Sequence, residues 1–126
     1  MITLLLRILL GAAGALGLLV GVRMWMDPVR VGAMMGLSGA GPLGQATLRA
    51  DVGGFFAAVG VLALAGALRN QAKLFTAPML MIALALSGRL VAAAVNGVDA
   101  MAIPSIVVEA VLVCLFALGR FRLGRT

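Results

Sequence analysis

The chain has 126 residues, 63% of them hydrophobic and only 11% charged, with a mean hydropathy of +1.19. Soluble domains carry roughly a quarter charged residues, so the composition excludes an ordinary soluble enzyme and indicates one integral membrane domain over 1–126. The net charge of +6 lies mainly in residues that flank apolar runs, which points to chain orientation and contact with membrane lipids and away from nucleic acid.

A span needs about 20 apolar residues, and four fit: about 2–22, 47–68, 74–95 and 102–119. The first run extends further than the apolar core of a removable leader, so it reads as a span. Its Gly11, Gly14, Gly17 and Gly21 recur at helical spacing and leave a bare strip along one face. Such a strip lets a neighbouring helix approach closely, either within the chain or in a homo-oligomer.

Arg23–Thr47 is the longest connector. Trp25 beside Arg23 suits a membrane–water boundary. Asp27-Pro28 has the form of a helix start, with the carboxylate as cap and proline at the first helical position. A short interfacial helix over VRVGAMMGL follows, ended by Ser38-Gly-Ala-Gly-Pro42, and a connector of this size is long enough to cover an opening between spans.

The second span opens with Arg49 and Asp51. Arg69–Lys73 is a polar turn, the third span contains Arg89, Asn96–Asp99 form a second turn, and the fourth span contains Glu109 and Cys114. One cysteine excludes an internal disulfide and a CxxC pair. The absence of His removes the usual general base and most transition-metal sites, and no cofactor ligand set is visible. Arg7, Arg69, Lys73, Arg120, Arg122 and Arg125 fall on one side of a four-span chain, and Arg23, Arg30 and Arg49 on the other. The positive-inside bias then places both termini in the cytoplasm.

Arg89 and Glu109 carry the functional signal, because an ionisable group inside an apolar span costs about 3 kcal/mol unless it is paired or wetted. Counted at 1.5 Å per residue, each lies about 10 Å below the same boundary. Arg49 and Asp51 start the second span at that boundary. Four charges on three helices therefore converge in one leaflet, and their sum is zero. Two readings stand: an ion pair that sets helix register, and a ligand site. In the second, the planar guanidinium of Arg89 holds an anionic or carbonyl group and Glu109 is its partner or a proton acceptor. The methionines, Met24, Met26, Met34, Met35, Met79 and Met81 among them, are adaptable packing or pocket residues.

Arg-x-Asp-x-Gly-Gly at Arg49–Gly54, Gly88-Arg89 followed by Asn96-Gly97, and Glu109 in the last span resemble the DoxX-like small four-helix bacterial membrane proteins, nearest to a member family of unknown function. The resemblance implies a bundle in the inner membrane with Arg49, Asp51, Gly54, Arg89 and Glu109 as the polar site, and supplies no activity. Some DoxX-like relatives are tied to thiol- or quinone-linked assemblies. The expectation is thus an all-α four-helix membrane bundle that binds a small lipid-like or quinone ligand as an accessory subunit. A small oligomeric transporter or channel, a lipid-modifying enzyme and a structural scaffold are the alternatives.

Overall fold

A computed structural model describes residues 1–124, and every regular element in them is helical. In chain order these are α1 (Ile2–Met26), α2 (Pro28–Met34), α3 (Pro42–Thr47), α4 (Gly54–Arg69), α5 (Thr76–Asn96) and α6 (Ile103–Arg122). A π-helical turn over Leu48–Gly53 joins α3 to α4 without a break, and single 3₁₀ turns lead into α5 and α6. Four continuous segments are long and apolar enough to cross a membrane: Ile2–Met26, Pro42–Arg69, Ala72–Asn96 and Ala100–Arg122. The protein is an all-α four-helix bundle of the multi-pass membrane type.

The spans run beyond the apolar limits read from sequence. The largest difference is in the second, which starts at Pro42 and not near 47. Helical hydrogen bonding continues where hydropathy stops, because Pro42 at the first helical position has no amide hydrogen to leave unsatisfied. The connector helix forms as its cap pattern predicts: Asp27 Oδ1 accepts from Arg30 N at 3.2 Å. Arg125, counted in the charge asymmetry, lies outside the described residues.

The glycine strip of α1 packs against α4. A Cβ on Gly14 would stand 2.6 Å from Leu64 N, and one on Gly21 would stand 2.8 Å from Ala57 N. Gly60 answers from α4, where a Cβ would collide with the Leu18 backbone. With lipid as solvent there is no hydrophobic drive between spans, so backbone-to-backbone dispersion contact of this kind supplies the association.

At the pole that bears the termini, α5 and α6 join this pair. Phe75 and Phe116 stack with ring centroids 6.4 Å apart, fully buried among Leu10, Ala63, Ala67 and Leu123. Arg7 closes the same end. Its Nε donates to Ala67 O at 2.7 Å and a terminal nitrogen to Leu68 O at 2.9 Å, satisfying carbonyls that α4 leaves open at its C-terminus. Arg120 Nε donates to Thr76 Oγ1 at 2.8 Å, tying α6 to the start of α5. Toward the opposite end, beyond Ile82 and Phe116, α5 and α6 bury none of their side chains fully, and a groove opens.

Candidate functional site

The groove has a volume of about 650 Å³ and lies between the π turn, α5 and α6. Its walls are apolar: Phe55 and Phe56 from α4, Ile82 from α5, and Val108 and Leu112 from α6. Met35 and Leu37 of the connector reach over it. Asp51, Arg89 and Glu109 are the charged residues that line it. A volume of this size is in the range of small-ligand sites, which combine apolar walls with a few polar groups.

Each charge reaches the groove through its helix. Arg89 sits on α5 and Glu109 on α6, and Arg89 Nε donates to Glu109 Oε1 at 2.7 Å. This is the one ion pair among the described residues. It is asymmetric: the Arg89 side chain is 44% exposed and that of Glu109 only 14%. Glu109 Oε2 is buried and accepts no hydrogen bond from the protein. A buried carboxylate oxygen with no donor is unfavourable, so the pair is held by a single hydrogen bond through Oε1.

Asp51 joins the groove from the π turn. A π turn inserts one residue into helical register and turns the side chains that follow. It holds Arg49 and Asp51 at opposite duties. Arg49 leaves the cluster for the end of α1: its Nε donates to Trp25 O at 2.9 Å, and Trp25 Nε1 donates to Arg49 O at 3.0 Å. This reciprocal clasp fixes the end of α1 to the π turn. Asp51 stays exposed at the groove.

Of the five residues expected at the site, the structure therefore brings together Asp51, Arg89 and Glu109. Arg49 is a neighbour that braces the turn. Gly54 faces open space, where an added Cβ would meet nothing within 4 Å. The glycine under steric demand is Gly53, whose Cβ would lie 2.7 Å from the Trp25 ring. With Arg49 removed, the formal charge of the groove is −1 and not zero.

Arg89 also borders a second cavity of about 380 Å³, formed with Asn96, Asp99, Ala102 and Ile106 at the α5–α6 turn. Arg89 thus stands between the groove and the α5–α6 turn. Asp99 serves there as a local cap, with Oδ1 accepting from Met101 N at 2.9 Å. The aromatic walls and the Trp25–Arg49 clasp escaped the sequence reading. Paired Phe55-Phe56 right after the Arg-x-Asp stretch is the signal that was present for the walls. The methionines divide as well: Met35 lines the groove, Met24 is buried at the α1–π-turn contact, and Met79 and Met81 pack on the core.

No protein family, curated protein or solved structure matches this chain.

Proposed function

We propose that this protein binds a small lipid-like molecule in the groove between the π turn, α5 and α6, as a binding or accessory subunit of a bacterial inner membrane. The carrying observation is an apolar cleft of about 650 Å³ whose polar floor is Asp51, Arg89 and Glu109. An acyl or isoprenoid chain contributes about 0.8 kcal/mol per buried CH₂ against Phe55, Phe56, Ile82 and Leu112 when it leaves water. From within the bilayer the gain is fit to the walls, and the polar floor supplies selectivity. A quinone-type head is compatible with the terminal guanidinium nitrogens of Arg89, which donate to carbonyls. Membership of the DoxX-like group and cytoplasmic termini belong to the same proposal; the Arg-x-Asp-x-Gly-Gly and Gly-Arg stretches and the distribution of basic residues support them.

The test is mass spectrometry of small molecules that co-purify with the detergent-solubilised protein, compared with Arg89→Ala and Glu109→Gln. A recurrent amphiphile in the parent protein, depleted in both variants while their thermal midpoints stay measurable, is the expected result. Equal small-molecule content in all three proteins defeats the proposal and leaves the ion pair a structural device.

A further inference from the structure

The pole that bears the termini has a cavity of its own, at the other end of the bundle from the groove. It measures about 610 Å³ and lies between the α4–α5 turn and the end of α6. We infer that this cavity takes the phosphate of an anionic phospholipid, whose chains leave past Leu74 and Phe121 into the bilayer, and that it discriminates against zwitterionic headgroups.

Three observations carry it. The walls are fixed by packing: Leu123 is buried, and Gly124, at φ +64°, brings the segment after α6 back onto the α4–α5 turn, where an added Cβ would stand 3.0 Å from Asn70 O. The second observation is charge. Lys73 and Arg120 are the charged residues that line the cavity, and both are cations. Arg120 Nε is committed to Thr76 Oγ1 at 2.8 Å, which steadies the guanidinium, and its two terminal nitrogens make no hydrogen bond among the described residues. Lys73 is exposed and has no carboxylate partner among those residues. The neighbouring charges have the same sign. Arg69 and Arg122 adjoin the lining residues in the chain, and Arg7 is engaged with Ala67 O and Leu68 O. Every acidic side chain, Asp27, Asp51, Asp99 and Glu109, lies toward the connector pole. A phosphate therefore meets charge-assisted donors with no competing acid, whereas a choline or ethanolamine group brings a cation that no carboxylate here receives. The third observation is the apolar flank: Leu74 and exposed Phe121 line the same cavity. A lipid uses that flank and a free phosphate does not. Basic pockets between spanning helices are the form that anionic-lipid sites take.

The detergent-solubilised protein, stripped of bound lipid, is titrated with dioleoyl phosphatidylglycerol and dioleoyl phosphatidylcholine, which share their chains, and bound lipid is counted by native mass spectrometry. Phosphatidylglycerol is expected to bind about tenfold more tightly. Lys73→Gln, an exposed change, is expected to weaken it about fivefold with the thermal midpoint in place, while Lys73→Arg retains it. Arg122→Gln, the same charge loss on the same pole outside the cavity lining, is expected to weaken it less than about twofold. Phosphatidylcholine binding as tightly as phosphatidylglycerol to the parent protein overturns the inference without recourse to any variant. Equal losses in Lys73→Gln and Arg122→Gln also overturn it, since diffuse surface charge and not the cavity would then hold the lipid. Displacement of phosphatidylglycerol by inorganic phosphate, beyond the effect of chloride at equal ionic strength, would make the occupant a free anion and overturn the lipid assignment.

Discussion

The two ends of this bundle are built on opposite principles. At the pole with the termini, Phe75, Phe116, Leu10 and Leu123 are buried, and the two arginine clasps hold carbonyls and a hydroxyl. At the connector pole, α5 and α6 part around a cleft, and their charged pair is left with an unsatisfied oxygen. Each end keeps a buried polar atom without a protein partner, Asn70 Oδ1 at the first and Glu109 Oε2 at the second, so the contrast lies in the packing and in the half-exposed Arg89. The lesson is that charge inside a membrane bundle is informative only together with its partners. Arg7 and Arg89 are both arginines in apolar helices, yet one caps a helix end and the other faces a cleft.

Substitutions sharpen this contrast. The largest effect is expected where backbones touch: Gly60→Val places atoms inside the Leu18 backbone, and the loss of monodisperse protein on size-exclusion chromatography would show that α1 and α4 can no longer meet. Next is Arg7→Ala, which removes two charge-assisted hydrogen bonds at the packed pole and is expected to cost about 2–3 kcal/mol in a denaturation titration. An unchanged midpoint would mean that the clasp is dispensable and the packed pole rests on its side chains alone.

Glu109→Ala at the open pole is expected to cost less, about 1–2 kcal/mol, because Arg89 is nearly half exposed and the 3–5 kcal/mol of a fully buried pair does not apply. A larger loss than that of Arg7→Ala would reverse the comparison and make the open pole the structural one. The smallest effect is that of Trp25→Phe, which deletes one hydrogen bond to Arg49 O at about 1 kcal/mol and is expected to leave the co-purifying small-molecule content intact. A loss of that content would show that the clasp shapes the groove.

Much of the fold was legible in the residues. Period and length of the apolar runs fix four spans, because lipid offers the backbone no partner outside a helix. Asp27-Pro28 marks the connector helix, since both residues satisfy the needs of a helix start. The glycine spacing marks the close helix face. The site was legible in part. Depth counting puts Arg89 and Glu109 at similar levels on successive spans, and two opposite charges there have every reason to meet. It also put Arg49 with them, because depth says nothing about direction around a helix axis.

That direction depends on the π turn at Leu48–Gly53, which no local pattern announces; its register follows from packing Gly53 under Trp25 and Leu48 against Gly32. The sequence by itself therefore determined the number of spans and the start of the connector helix, since these follow from hydropathy and from the capping chemistry of Asp27-Pro28. Tertiary structure alone decided which arginine faces the cleft, which carboxylate oxygen lacks a partner, and the sign of the cleft's charge. Those are properties of azimuth and neighbours, and a linear chain specifies them only after its helices have packed.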